Sequence, residues 1–218
     1  MNRFTVINCE QRTPEWYQAR AGRATGSKAD AIHARSRDRK EEGVTRRNYR
    51  VQLVAERLTG NPQENDYQSR AMANGVEKEP SAIAAYEAAT GLLVRRTGFL
   101  AMSEYAAGCS LDGDVDDFRI ILSVKCPEAP AHLRYLWERR IPPEYVKQAT
   151  HELWVTGAKT YDFVSYNESF PEHLQLLIVR ADRGEFDIAG HEMGTIQFLH
   201  EVDAELRKLE TWTPPLLT

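Results

Sequence analysis

Arg119-Ile120-Ile121-Leu122-Ser123-Val124-Lys125-Cys126-Pro127 is the stretch that decides the fold. Alternate side chains of a β-strand share a face. Ile120, Leu122, Val124 and Cys126 therefore point one way, and Ile121, Ser123 and Lys125 the other. Just upstream, Ser110-Leu111-Asp112-Gly113 ends a second strand in a turn. A hairpin closed there returns the Asp112 carboxylate to the side of Ser123 and Lys125. An aspartate, a second acid and a lysine on paired strands make a phosphodiesterase site. The acids hold Mg2+, a hard cation that takes oxygen ligands, and the lysine orients the water that the metal activates. Here Ser123 stands where the second acid belongs. Without further matches, a surface hairpin with a solvent-facing lysine is the simpler reading.

A rival reading of the same turn is a calcium loop, because Asp112, Asp114 and Asp116 are spaced like the start of an EF-hand. That loop needs glycine at its sixth position and glutamate at its twelfth. Asp117 and Ser123 stand there, and strands flank the turn in place of helices, so the calcium loop is excluded.

Outward from the hairpin, the texture is helical before residue 92 and strand-like after it. Thr13-Pro14-Glu15 reads as a helix start, with a hydroxyl N-cap and proline at the first turn. That helix runs to about Arg20 and stops at Gly22. Thr25-Gly26-Ser27 precedes a second helix carrying Ala29, Ala31 and Ile32. Tyr49–Leu58 and Val76–Ala89 repeat apolar residues at helical spacing and end at Gly60 and Gly91. Leu92–Val94, Phe99–Met102, Ala107–Leu111 and Arg119–Cys126 read as strands. Helices are expected near Pro130–Trp137 and Pro143–Thr156, strands at Asp162–Tyr166 and Leu174–Val179, and a long amphipathic helix at Glu192–Leu209. That last helix is a plausible docking surface, but a core-packing role is the simpler reading. The order predicts an α/β fold with a mixed central sheet flanked by helices: one domain over residues 1–218, with N-terminal helices and a C-terminal helix.

Bulk properties fit a soluble intracellular protein. The chain has 218 residues and a net charge of −4, which argues weakly against nucleic acid. Distribution matters more than the sum. Arg35, Arg37, Arg39, Lys40, Arg46, Arg47 and Arg50 are opposed only by Asp38, Glu41 and Glu42. Such a patch either follows phosphates or is a solvated helix face, and taken alone the second is the plainer reading. Cys9, Cys109 and Cys126 have no zinc spacing and read as reduced thiols. His33, His132, His151, His173, His191 and His200 do not pair at zinc spacing and read as structural or surface residues. Trp154 and Tyr166 read as core. No signal-peptide-like or membrane-length apolar run is present.

Beyond these readings, four blocks of the chain, in order and at matching spacing, resemble the YqaJ/lambda exonuclease family, a branch of the PD-(D/E)XK nuclease superfamily. The first is Gln11 to Gly22 with Thr25-Gly26-Ser27. The second is Gly75-Val76-Glu77-Lys78-Glu79-Pro80-Ser81-Ala82, running on to Tyr86-Glu87. The third is Cys109-Ser110-Leu111-Asp112-Gly113 with Ser123-Val124-Lys125-Cys126-Pro127. The fourth is Tyr145-Val146-Lys147-Gln148, Trp154-Val155-Thr156 and Asp162 to Tyr166.

The resemblance implies a restriction-endonuclease-like core and a Mg2+-dependent (or Mn2+-dependent) 5′→3′ exonuclease on double-stranded DNA, with two ions in the active parent. It implies that Asp112 is the shared metal ligand and that the main-chain carbonyl of Val124 faces the metal. Lys125 positions the nucleophilic water, and Glu79 completes the acidic cluster. Arg20, Ser27 and Ser110 match positions that bind the terminal 5′-phosphate. Chemistry agrees, since Arg20 offers a bidentate fork and Ser27 opens a helix. Gln148 matches a family glutamine near the site, while Thr150 replaces a second one. The family further implies a homotrimeric ring, 3′ overhangs, a single-strand annealing protein as partner, and a phage or prophage origin in a bacterial cytoplasm.

Ser123 departs from the family, which has glutamate there. A neutral, shorter hydroxyl cannot hold a divalent cation tightly. One explanation is an engineered inactive variant, in which Ser123→Glu restores brisk cutting. The other is an acid recruited from nearby, with Asp114, Asp116 and Glu128 as candidates. The first is favoured because Glu79, Asp112 and Lys125 are all kept. A restriction-like or repair endonuclease and a decayed DNA-end-binding protein are the alternative functions.

Overall fold

The strand expected at the deciding stretch forms over Ile120–Lys125, and the elements on either side of it set the architecture of the computed structural model. Residues 2–36, 42–63 and 70–213 are described, with side chains of the last segment from residue 77 onward. In chain order the elements are β1 (Phe4–Ile7), α1 (Pro14–Arg20), β2 (Ala24–Thr25), a 3-10 turn at Gly26–Lys28, α2 (Ala29–His33), α3 (Val44–Thr59) and α4 (Arg70–Thr90). Then come β3 (Phe99–Met102), β4 (Ala107–Ser110), β5 (Gly113–Val115), β6 (Ile120–Lys125), α5 (Ala129–Glu138), α6 (Pro143–Thr156), β7 (Thr160–Tyr166), β8 (Leu176–Asp182) and α7 (Ile188–Glu210).

Two four-stranded sheets result, ordered β1-β3-β4-β2 and β5-β6-β7-β8. β5 and β6 form the antiparallel hairpin, with Gly113 opposite Leu122. β6 and β7 run parallel, joined by the α5–α6 crossover that a parallel pair requires. The period-two pattern of β6 has a packing consequence. Leu122 and Val124 join Ala82, Ile83 and Tyr86 of α4 in one core on one face of the second sheet. Ile121, Tyr161 and Phe163 join Leu153 and Trp154 of α6 in a larger core on the other face. Tyr166 is buried with the first group, and Trp154 is fully buried in the second.

Helix boundaries follow local chemistry. Thr13 caps α1 by accepting from the Trp16 N–H, and Pro14 opens the helix. Gly60 and Gly157 end α3 and α6 in the left-handed conformation that glycine adopts without a Cβ clash. α7 starts at Ile188, capped by Asp187, and packs on α3 and α6 through Phe198, Leu199 and Val202. It is a core helix.

Some expectations need correction. Leu92–Val94 is not a strand. The Val94 N–H donates to Glu87 Oε1 at 2.8 Å, and only Arg95 bridges to Asp114. α4 begins at Arg70, well before Val76. β1 and β2 had no alternation long enough to announce them. Of the basic patch, residues 37–41 lie outside the described residues. Arg46 and Arg50 pair with Glu42 and Glu201 within the protein. Their charge is therefore largely neutralised internally. Among the described residues no helix is long and apolar enough to cross a membrane.

Candidate active site

Asp112 lies at the start of the β5–β6 hairpin, and the register puts it across from Ser123. Its Oδ2 accepts the backbone N–H of Val124 at 2.7 Å and sits 3.8 Å from Lys125 Nζ. The hairpin thus brings Asp112, Val124 and Lys125 together as the alternation required. Lys125 is partly buried and also lies 5.2 Å from the centroid of the Tyr145 ring on α6, a cation–π distance. The three aspartates of the rejected calcium loop part company. Asp114 is fully buried and forked by Arg95 at 2.9 and 3.1 Å. Asp116 pairs with Arg119 at the surface. Glu128 is exposed at the start of α5.

Glu79 reaches the same cleft from α4, beside Pro80, which removes one helical donor there. It pairs with Arg96 at 3.2 Å. Burial raises its pKa, and the negative charge of Asp112 raises it further, against the pull of Arg96, Arg12 and Lys125. The cleft holds about 570 Å³ and is lined by Glu79, Asp112, Arg12, Arg96 and Gln11 among others. Gln11 ties its wall by donating to the Leu111 carbonyl at 3.1 Å.

Arg20, Ser27 and Ser110 also converge, through Trp16, a residue to which the sequence alone assigns no role. Trp16 Nε1 donates to Ser110 Oγ at 2.7 Å, and its ring carries the Arg20 guanidinium at 4.0 Å. Arg20 in turn donates to Ser27 Oγ at 3.1 Å. The guanidinium is buried and oriented before any ligand arrives, which lowers the entropy lost on binding an anion. Gly26 opens the turn that carries Ser27. A methyl group there would stand 3.4 Å from Glu152 Cγ and 3.7 Å from Gln148 Cγ, so the turn lies directly on α6.

Gln148 does face this region. Its Nε2 donates to Glu152 Oε1 at 2.7 Å, one helical turn on. Thr150 instead back-bonds to the Val146 carbonyl within its own helix. Glu152 was not singled out from the sequence. It is 2% exposed, and burial pushes its pKa up to about 8, with Gln148 and Lys125 pulling down and Asp112 pushing up. Its Oε2 makes no hydrogen bond of normal geometry, and neither do the buried Ser123 Oγ and Tyr161 Oη.

The histidines divide as expected into structural and surface residues. His33, His191 and His151 form a hydrogen-bonded chain, 2.9 and 3.0 Å per step, that ends on the Gly108 carbonyl. His132 bonds Ser165 and the Leu174 carbonyl. His173 and His200 are exposed. All three cysteines are free thiols. Among the described residues no three histidine, cysteine or carboxylate side chains stand close enough to form a finished metal cage. Asp112 and Glu79 line one cleft, and the charge of Asp112 acts on Glu79 and on Glu152 alike. Carboxylate oxygens are the donors a hard divalent cation takes, here with Arg96 and Lys125 partly offsetting their charge.

Residues 15–159 match the YqaJ-like viral recombinase domain. Among solved structures, the chain is similar to an alkaline exonuclease from Laribacter hongkongensis, with 33% identity, a TM-score of 0.80, and coverage of 91% of this chain and 96% of that one. The same enzyme in complex with dAMP matches at 32% identity with equal coverage and TM-score. A phage-related exonuclease from Haemophilus somnus 129PT shares the fold at 13% identity and a TM-score of 0.67, over 87% of this chain and 96% of that one. A search of curated protein sequences finds no match. The fold is the PD-(D/E)XK-like fold of alkaline exonucleases, as the family resemblance implied.

Proposed function

The chain belongs to the YqaJ-like viral recombinase domain family, and from that premise we propose that it digests one strand of duplex DNA from a 5′-phosphorylated end, using Mg2+ or Mn2+, to leave a 3′ overhang. A nuclease role follows from the family and from its alkaline exonuclease neighbours. The observation that carries the finer reading is the joining of two sites. The Ser110–Trp16–Arg20–Ser27 cluster and the Asp112–Lys125 pair are only two residues apart along the chain, at Ser110 and Asp112. An exonuclease needs this adjacency: one pocket for the chain end and, beside it, one centre for the scissile bond.

Asp112, Glu79 and the Val124 carbonyl are the groups that would hold the ion, with Ser123 at the position where the family has glutamate. When bound, the ion would neutralise phosphate charge and acidify a water. Lys125, fixed against Asp112 and Tyr145, would orient the attacking water and offset negative charge developing at the phosphate. Arg20 grips the terminal phosphate through two parallel N–H groups, helped by the Ser27 and Ser110 hydroxyls, and so sets where cutting starts. Gln148 lines the gap between the two sites. The dAMP complex of the Laribacter enzyme supports the nuclease part of this reading, since dAMP is a mononucleotide of the kind that exonucleolytic digestion releases from either end. A homotrimeric ring around the duplex and a single-strand annealing partner in a phage-infected cytoplasm complete the proposal.

The test uses linear 5′-phosphorylated duplex, linear 5′-hydroxyl duplex and a closed circle, each with Mg2+. Rapid digestion of the first, slow digestion of the second and none of the third is expected. Nicking of the circle selects a restriction-like or repair endonuclease. Binding to ends without digestion selects an end-binding protein.

A further inference from the structure

Four carboxylates are buried among the described residues: Glu56, Asp114, Glu152 and Asp162. Buried carboxylates are paired or fully hydrogen-bonded, because an uncompensated one is costly. Glu56 accepts three N–H donors, from Gly22, Gln52 and Gln63, at 2.7, 2.9 and 3.1 Å. Asp114 is forked by Arg95 and also accepts the Phe118 N–H. Asp162 is forked by Arg180 and accepts the Tyr86 hydroxyl. Glu152 alone of the four has a buried oxygen without a hydrogen bond of normal geometry: Oε2 has neither a cation nor a backbone N–H on it, and the carboxylate shares the Tyr161 hydroxyl with Ser123.

Its position explains what that oxygen is for. α6 packs on the face of the second sheet that carries Ile121, Ser123 and Lys125. Glu152 lies within electrostatic reach of Asp112 and Lys125, and of Tyr161, which in turn lies beside Ser123. Ser123 is 1% exposed, and its hydroxyl makes no hydrogen bond of normal geometry, lying beside the Tyr161 hydroxyl. A glutamate at position 123 would put a second carboxylate into this same enclosed space. Serine leaves room for one, and one is present, delivered by the helix instead of the strand. Gln148 holds Oε1, and the Tyr161 hydroxyl beside the carboxylate is neutral, so neither neighbour compensates a charge on Glu152.

We infer that Glu152 is the second acid of the nuclease centre, supplied from α6 to take over the metal-holding role that the family assigns to position 123. This rests on the nuclease reading above. The centre is then complete as Asp112, Glu152 and Lys125 with Glu79, in place of the impaired centre that Ser123 alone implies. The three acids considered from the sequence do not compete. Asp114 is committed to Arg95, Asp116 to Arg119, and Glu128 stands exposed at a helix start.

The experiment compares wild type, Glu152→Gln, Ser123→Glu, the double variant and Asp112→Asn as full chains. Each is read by Mn2+ titration calorimetry without DNA and by digestion of 5′-phosphorylated duplex in Mg2+. Glu152→Gln is expected to weaken Mn2+ binding about 10-fold or more and to slow digestion about 100-fold, as loss of a metal-holding group does. Ser123→Glu alone is expected to slow digestion by crowding two acids, and the double variant to regain activity over Glu152→Gln. Wild-type Mn2+ affinity and digestion in Glu152→Gln, with Asp112→Asn dead in both, would overturn the inference and leave the nuclease reading standing. Faster digestion by Ser123→Glu alone than by wild type would overturn it equally. If wild type itself neither binds Mn2+ nor digests, the nuclease reading falls and the inference with it. Should Glu152→Gln fail to fold, Glu152→Asp carries the test: drawing the carboxylate back by one methylene should lower Mn2+ affinity several-fold, and unchanged affinity overturns the assignment.

Discussion

Two buried acids sit on opposite faces of the second sheet, and they are treated in opposite ways. Asp162, on the α4 face, is fully buried and has all its hydrogen-bonding capacity met by Arg180 and Tyr86. Glu152, on the α6 face, is almost as inaccessible but has only neutral neighbours, a well-formed bond from Gln148 on one oxygen and the Tyr161 hydroxyl, shared with Ser123, beside it. The difference separates structure from chemistry. A satisfied carboxylate fixes the fold and has no capacity left for a ligand. A half-satisfied one costs stability in the resting protein and keeps an oxygen for something else.

Asp112→Asn is the strongest way to probe the chemical face. It should cut digestion about 1,000-fold or more, as loss of a group that holds charge in the transition state does, while circular dichroism and melting stay near wild type. Unimpaired digestion would remove the centre from this face altogether. Arg180→Ala probes the structural face. It leaves Asp162 buried without its cation and should cost on the order of 2–3 kcal/mol, below the range for a fully enclosed pair because Arg180 is half exposed. Urea unfolding measures this, and digestion per folded molecule should hold. Lost digestion with full stability would mean that the two faces had been assigned the wrong way round.

The His33–His191–His151 chain is a third, smaller case of buried polar groups that satisfy one another. Burial lowers the pKa of all three, to about 4 for His33 and His151 and about 2 for His191. The folded protein therefore resists protonation that the unfolded chain accepts near the ordinary value of 6.5. Stability from these groups is fully present above 6.5 and is lost as pH falls toward about 4. His191→Gln should flatten the fall in melting temperature over that window. An identical slope in wild type and variant would show that the chain does not titrate on unfolding.

Much of this was legible in the sequence, for reasons that particular residues make clear. The alternation from Ile120 to Cys126 placed Lys125 and Ser123 on one face, and Asp112 before Gly113 supplied the return of the hairpin. Those are local rules of strand geometry, and they needed no knowledge of the rest of the chain. Arg20, Ser27 and Ser110 converged as the family resemblance implied, though the tie between them, Trp16, required tertiary structure to see. Glu152 was not legible. It sits in the amphipathic run His151-Glu152-Leu153-Trp154, where a charged residue reads as the solvent side of a helix. Only the packing of α6 against β6 and the Gly26 turn buries it. The Leu92–Val94 segment misled for the converse reason. Its apolar residues meet the strand preference, but the Glu87 side chain takes the Val94 N–H that a ladder would have used.

The most direct test of the account is one preparation of Glu152→Gln, measured for melting temperature without divalent ions and for digestion with Mg2+. The account predicts that the two move in opposite directions. Relief of a half-satisfied buried acid raises the melting temperature by about 2–4 °C, the equivalent of about 1 kcal/mol in a chain of this size, while digestion falls. A melting temperature and a digestion rate that drop together would make Glu152 a structural acid like Asp162 and contradict the assignment.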